Sequence, residues 1–186
     1  MFVSQSNNQA TGDVVAGSKT ELNFITSGGS TDELTLLYAK LKTDGVGDPS
    51  GNAFCEKLLH YMAARTEGDV RGLEEKLKAS DRLDQLQFAK ELKEFAAKSI
   101  MRRQGSQTAQ RIFSIVLDEL HTKFTLVVSS AIQTGASRRE VDLCISQTLQ
   151  STKSMLGENV LELTLKDLLG LLYFLGGNCH IRWDKC

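Results

Sequence analysis

Chemically versatile side chains are concentrated at the end of the chain, in the sequence LGGNCHIRWDKC at residues 175–186. This stretch holds the single Trp, one of three His and two of four Cys. A thiol beside an imidazole could form a nucleophile with its base, or could bind a metal ion. However, adjacent side chains usually diverge, and Cys179, His180 and Cys186 lack the short Cys–Cys spacing of structural zinc sites. The sequence therefore predicts neither a metal site nor a nucleophile–base pair here.

Other catalytic patterns are missing from the sequence. It contains no Walker-type phosphate loop and no Gly-x-Ser-x-Gly turn. His60 and His121 stand on separate predicted helices, without a second His at metal-binding spacing. Acidic residues often lie four positions from a lysine, as Glu94 does from Lys98, which is typical of solvated helix faces. We therefore expect a protein that is not an enzyme and that uses no cofactor.

Two short motifs remain as candidate interaction or structural motifs. They are GDVVAG at 12–17 and GGNCHIRWD at 176–184, and their selected residues are Gly12, Asp13, Gly17, Asn178, His180, Arg182, Trp183 and Asp184. In the first motif, Asp13 can cap a turn between the two glycines.

The second motif begins as a helix stop. Gly176 and Gly177 are expected to end the helix in left-handed geometry, with Asn178 bonding back to the freed carbonyls. The residues from 179 to 184 then alternate, which predicts a short extended segment with one buried face. We interpret it as a latch that Trp183 anchors, with Arg182 paired to an acid. The alternative is a small-ligand-binding or enzymatic domain that uses His180, Arg182 and Asp184 in a cleft.

Helices must position these motifs, because apolar residues recur at helical spacing from Thr31 onward. Two capping boxes, Ser137 with Glu140 and Thr164 with Asp167, predict the starts of the last two helices. Earlier helices are expected to start near Pro49 and Ser80. The final helical segment is apolar on nearly every side, which indicates burial among other helices. We predict a mainly α fold, a bundle-like α-helical interaction domain of six or seven helices over residues 31–186.

The N-terminal segment, residues 1–30, differs from the rest in being rich in Ser, Asn, Thr and Gly without helical periodicity. Its apolar pieces read as short strands between glycines. Such strands cannot close a core alone, so the segment is either flexible or pairs its edges with another chain. We predict a short N-terminal β segment that acts as an oligomerisation element.

Composition argues against several partner classes. A formal charge of −1 and a pI near 6.3 argue against nucleic acid, because phosphate binding needs clustered cations. A nucleic-acid-binding component stays open as a third alternative, through Lys98, Arg102, Arg103, Arg138 and Arg139. No apolar run is long enough to span a membrane. The four scattered cysteines fit reduced thiols and hence a cytoplasmic location.

At its two motifs the chain resembles a known group of bacterial proteins. NQATGDVVAG at 8–17 resembles the short Gly-Asp motif of bacterial conflict-system proteins. GLEEKLKASDR (72–82), GASRREVD (135–142) and YFLGGNCHIRWD (173–184) resemble the C-terminal domains of ABC-three-component systems. These are bacterial defence operons that combine an ABC ATPase, a small middle component and an effector-bearing protein. The resemblance extends from Asn8 to Asp184.

The resemblance implies a non-catalytic module that assembles with partner proteins. Such a module usually follows an effector domain, and we expect this one to act without an effector domain of its own. We therefore expect a protein-interaction module of a bacterial antiviral or conflict system. It would form a homo-oligomer and dock to protein partners such as the ABC-type ATPase and the middle component.

Overall fold

The structure, a computed structural model, describes residues 28–44, 54–68 and 70–185. Over these ranges the chain forms seven helices and no strand, which confirms the mainly α prediction. They are α1 (Gly28–Asp44), α2 (Glu56–Met62), α3 (Leu73–Ala79), α4 (Leu86–Met101), α5 (Gln107–Lys123, continued by a π-helical turn at Phe124–Ser129 and by Ser130–Gln133), α6 (Arg138–Met155) and α7 (Leu165–Gly177). A 3₁₀ turn at Leu83–Gln85 leads into α4.

Helix α7 lies at the centre of the fold, as its all-round apolar sequence predicts. Its residues from Gly170 to Gly176 are all buried. It packs most extensively against α4, and Gly170 permits the close approach because a Cβ there would lie 2.8 Å from the Leu92 carbonyl oxygen. The position of α7 determines where the C-terminal motif emerges.

Both predicted capping boxes are present. The Ser137 hydroxyl accepts from the Glu140 backbone N–H, while the Glu140 carboxylate accepts from the Ser137 N–H at 2.7 Å. Thr164 and Asp167 form the same reciprocal pair at the start of α7. Local sequence therefore sets where the last two helices begin.

Two predicted helix starts are wrong. Helix α2 begins at Glu56 rather than near Pro49, which itself lies outside the described residues. Ser80 does not start α4 but ends α3, because Asp81 adopts a left-handed φ of 54° and the Arg82 N–H donates to the Leu77 carbonyl at 2.7 Å. Ser80, Asp81 and Arg82 thus form the C-terminal cap of α3, although the sequence pattern assigned them to the start of α4.

Helices α1 and α2 pack against α5. Leu34 and Tyr38 bury the inner face of α1, and Arg111 of α5 donates to the Glu33 carboxylate at 2.7 Å. On α2, Leu58 and Tyr61 are buried. This packing brings α2 beside the C-terminal end of α7.

The predicted N-terminal β segment cannot be compared with the structure. Residues 1–27 lie outside the described residues, and these include Gly12, Asp13 and Gly17 of the first motif. The segment stays a prediction, although α1 begins at Gly28, three residues before the expected helical start. A search of the described residues for a helix with the length and hydrophobicity to cross a membrane finds none.

Candidate functional site

The C-terminal motif begins at a helix end of a different kind from the one predicted. Gly176 and Gly177 remain helical, and Asn178 is the cap. Cys179 takes the left-handed position instead, with φ of 64°. The N–H of His180 donates to the Leu175 carbonyl at 2.9 Å and that of Cys179 to Gly176 at 3.3 Å, a Schellman pattern. The prediction that the glycines supply the left-handed turn is therefore wrong.

The two glycines allow close packing instead. A Cβ on Gly176 would lie 2.4 Å from the Trp183 ring, and one on Gly177 would lie 2.5 Å from the end of the Lys93 side chain. Contacts this short do not occur in real structures. Gly176 is therefore the residue that lets the tryptophan lie against the helix.

Asn178 holds two parts of the chain together. Its side-chain amide donates to the Tyr61 carbonyl at 2.9 Å, and its own carbonyl accepts from the Arg65 N–H at 3.2 Å. The prediction that Asn178 bonds back to its own helix does not hold for its side chain, because the carbonyls that it reaches belong to α2. The end of α7 is thereby fixed to the end of α2.

Trp183 is buried in the core, with 3% of its surface exposed. Its ring packs edge-to-face on Phe124 at 5.7 Å between centroids and lies 5.6 Å from the Tyr173 ring. Asp184 accepts a hydrogen bond from Arg71 at 2.7 Å, which joins the tail to the segment before α3. These contacts are those of a latch with Trp183 as its anchor.

The expected alternation of buried and exposed residues is only partly present. His180 is 7% exposed and Ile181 is 5% exposed, so two consecutive residues point inward. The chain here forms no ladder and follows the helix end instead, which turns His180 toward α2. Side chains alternate between two faces only along an extended backbone, and the left-handed turn at Cys179 interrupts that alternation.

All three histidines of the chain meet beside this turn. The His180 ring lies 5.2 Å from that of His60 and 6.3 Å from that of His121. The Tyr61 ring contacts all three, at 5.1 Å from His60, 5.9 Å from His121 and 5.2 Å from His180. We call these four rings the histidine cluster. Sequence spacing gave no indication of it, because the residues come from α2, α5 and the C-terminal segment.

Two of the imidazoles in the cluster, those of His121 and His180, are held in the neutral form. Burial, together with the nearby His60 and Arg65, lowers the pKa of His180 to about 4. Burial also lowers the pKa of His121. The Tyr61 hydroxyl donates to the Asp118 carboxylate at 2.6 Å, and burial together with this bond raises the pKa of the phenol. At neutral pH the His121 and His180 imidazoles are therefore neutral, and Asp118 accepts its hydrogen bond from an uncharged phenol.

A cleft opens beside the cluster, with a volume of about 470 Å³. His121, His180, Arg182 and Cys179 line it, together with Arg65, Glu67, Lys76 and two residues of the π-helical turn, Thr125 and Ser129. A second recess of about 510 Å³ adjoins it and shares Arg65, Glu67 and His180. We call the first of these the histidine cleft.

The cleft contains a buried cation that sequence reasoning missed. Lys76 is 1% exposed, and its ammonium donates to the carbonyls of Gly176 at 2.9 Å and Ile181 at 3.2 Å. Its spacing with Leu73 and Leu77 places it on the buried face of α3. The sequence could have indicated this burial, because Lys76 occupies a position in the apolar stripe of α3.

Cys179 and His180 do not form a reactive pair. The Cys179 thiol donates to the Arg71 carbonyl at 3.5 Å, whereas His180 Nε2 lies 3.2 Å from the Ala63 carbonyl. Within the described ranges, no three His, Cys, Asp or Glu side chains are grouped so that they could hold a metal ion. The prediction that these neighbours point to different partners is confirmed by the geometry.

The predicted trio of His180, Arg182 and Asp184 is divided. His180 and Arg182 line the histidine cleft, whereas Asp184 is not among its lining residues and binds Arg71. The ligand-binding alternative thus retains two of its three residues.

Most of the basic residues considered for nucleic acid have contacts within the chain. Lys98 pairs with Glu94 at 2.6 Å, and Arg138 pairs with Asp84 at 2.7 Å. The Arg103 guanidinium donates to the Ser99 hydroxyl at 3.1 Å. These contacts support the structural interpretation of the basic clusters.

Comparison with known proteins identifies one family. The family described as C-terminal domain 9 of the ABC-three component (ABC-3C) systems matches residues 72–183. No curated protein and no solved structure matches the chain. The matched region runs from the cap of α3 to Trp183, so it includes Lys76, His121 and the C-terminal latch up to its anchor.

Proposed function

The chain belongs to the family of C-terminal domain 9 of the ABC-three component systems, and we propose that it is a non-catalytic protein-interaction module of such a system. It would act in the cytoplasm of a bacterium, in antiviral or conflict defence. It would self-associate and dock to partner components, the ABC-type ATPase and the middle component among them. Membership of a multi-protein system supports protein partners.

One surface carries this proposal, a groove between α4 and the start of α7. Phe88 is 45% exposed and Phe95 is 53% exposed, two turns apart on the outer face of α4. Together with Leu92 and the first turn of α7 they line a groove of about 450 Å³, which we call the α4 groove. Exposed aromatic side chains beside a recess are typical of protein contact surfaces.

The polar rim of the α4 groove fits the same role. Glu91, Lys166 and Asp167 line it, and the Lys166 ammonium lies 6.0 Å above the Phe88 ring. Contact surfaces combine an apolar centre with a charged rim that sets orientation. The groove presents both within two turns of α4.

The non-catalytic part of the proposal is supported by the side chains of the C-terminal motif. Asn178, Trp183 and Asp184 are all engaged in contacts that hold the end of α7 to α2, to the core and to Arg71. The adjacent thiol and imidazole have separate carbonyl partners. The motif thus stabilises the fold that presents the α4 groove.

Co-expression with the other proteins of the native operon tests the docking role. We expect the double variant Phe88→Ser, Phe95→Ser to lose co-purification of its partner and to keep its circular dichroism spectrum. The matched control is Leu126→Ser, Leu143→Ser, which removes two exposed leucines that do not line the groove. Equal co-purification by both double variants would contradict the proposal.

Self-association has its own test, because the predicted element is the N-terminal segment. Removing residues 1–27 leaves the chain from the start of α1. We expect light scattering to report a smaller oligomer for the truncated protein. An unchanged mass with intact partner binding would refute the role of this segment.

A further inference from the structure

We propose that the histidine cleft binds a phosphorylated small molecule that carries hydroxyl groups, a ligand of the nucleotide class. The proposal rests on a buried cation on its wall, on an excess of positive charge around it and on an unpaired acceptor beside it. It does not depend on the docking role of the α4 groove.

Lys76 supplies the first argument. A buried ammonium is costly unless a counter-charge compensates it. Lys76 donates to two neutral carbonyls, and no carboxylate lies within ion-pairing distance of it among the described residues. An ammonium has three donors, so one remains for another acceptor. An anion in the cleft would supply both the charge and the acceptor.

The lining of the cleft supplies the second argument. Among its described residues, Arg65, Lys76 and Arg182 are cationic and Glu67 is the one acid. The neutral imidazoles of His121 and His180 add no charge of either sign at neutral pH. Guanidinium groups match the geometry of phosphate oxygens, so an oxyanion fits this lining better than a cation does.

His180 supplies the third argument and extends the ligand beyond phosphate. Its Nε2 lies 3.2 Å from the Ala63 carbonyl, which can only accept, so Nε2 carries the proton. Nδ1 is then an acceptor, and it is buried without a hydrogen-bond partner in the structure. A ligand hydroxyl would donate to Nδ1, while a fully ionised phosphate group, which can only accept, would leave it unpaired.

The size and the wall of the cleft agree with this class. About 470 Å³ falls within the roughly 300–1,000 Å³ range of small-molecule sites. The π-helical turn places the Thr125 and Ser129 side chains on the same wall. Such turns occur frequently at functional sites, where the extra residue redirects side chains.

A purely structural role for Lys76 is the competing explanation. Gly176 is in the last turn of α7, and a cation there also complements the helix dipole. The test therefore uses Arg65 and Arg182, which line the cleft and belong to neither α3 nor α7. The control is Arg139→Gln, an exposed arginine on α6 that does not line the cleft.

Isothermal titration calorimetry would measure inorganic phosphate and adenosine monophosphate as probes, at constant ionic strength. We expect adenosine monophosphate to bind about tenfold or more tightly than phosphate, since it adds ribose hydroxyl donors that can reach Nδ1 while its phosphate contacts the cations. Arg65→Gln and Arg182→Gln should each weaken that binding about tenfold, and Arg139→Gln should not change it. The Phe88→Ser, Phe95→Ser variant should also bind normally, which separates this inference from the docking role.

Nitrogen NMR of His180 measures hydrogen bonding at its Nδ1 atom, which nonspecific attraction of an anion to the cleft would not change. Its Nδ1 resonance should shift with adenosine monophosphate and stay in place with phosphate. Absence of millimolar binding would overturn the proposal. So would equal loss in Arg139→Gln, which would show nonspecific attraction, or binding of phosphate as tight as that of the nucleotide.

Discussion

Substituting Gly176 by Ala tests how the C-terminal latch is built. The new Cβ would lie 2.4 Å from the Trp183 ring, against ordinary contact distances of 3.4–4 Å. The ring would have to move by about 1 Å or more, and it is held between Phe124 and Tyr173. The backbone does not oppose the change, because Gly176 lies within α7 without a positive φ.

Two opposing effects set the magnitude. Alanine stabilises a helix interior by about 1 kcal/mol relative to glycine. Overpacking a rigid core costs about 1–3 kcal/mol, and a buried aromatic ring belongs at the upper end of that range. We therefore expect Gly176→Ala to lower the free energy of unfolding by about 1–2 kcal/mol.

The neighbouring glycine provides the matched control. A Cβ on Gly177 would lie 2.5 Å from the end of the Lys93 side chain, which is flexible and can turn away. Gly177→Ala should therefore leave stability unchanged or raise it by up to about 1 kcal/mol.

Urea denaturation of both variants measures the difference, and thermal unfolding should separate their midpoints by roughly 4–8 °C. Equal stability of the two variants would refute the argument that Trp183 packs against α7 only because residue 176 lacks a Cβ. A gain in stability for Gly176→Ala would do the same.

Three further predictions concern the site. Cys179→Gly should raise the free energy of unfolding by about 1 kcal/mol, because Cys179 has a φ of 64°, which glycine adopts without strain. Chemical denaturation would measure the change. A lower free energy of unfolding would show that the thiol contact with the Arg71 carbonyl outweighs the strain. Stability should fall as the pH falls from about 6.5 through 4, because burial lowers the His180 pKa and the unfolded chain then binds more protons than the folded one. In His180→Gln the urea midpoint should depend less on pH across this range. The same pH dependence in the variant and the parent protein would contradict the role of His180. Tyr61→Phe should cost about 1–2 kcal/mol in thermal unfolding by leaving Asp118 without its donor, and a neutral effect would show that water replaces the hydroxyl.

Sequence by itself determined the helical class and the features that depend on near neighbours. The capping boxes at Ser137 and Thr164 are recognisable because both partners lie three residues apart. The burial of α7 follows from an apolar residue at nearly every position. The family resemblance at residues 72–183 likewise depends on the order of residues along the chain.

Tertiary structure decided what the C-terminal motif does. Glycines at a helix end usually supply a left-handed turn, but here Cys179 adopts it and Gly176 makes room for Trp183. The pattern could not show this, because a glycine that needs a positive φ and one that needs space look identical in sequence.

The histidine cluster shows the same limit more strongly. His60, His121 and His180 are separated by about sixty residues each time along the chain, and no spacing rule connects them. They meet because α2 and α7 both end against α5, and because Asn178 fixes one end to the other. Local sequence encodes helices and caps through contacts within a turn or two. A site assembled from three distant segments exists only once the packing of those helices has been chosen.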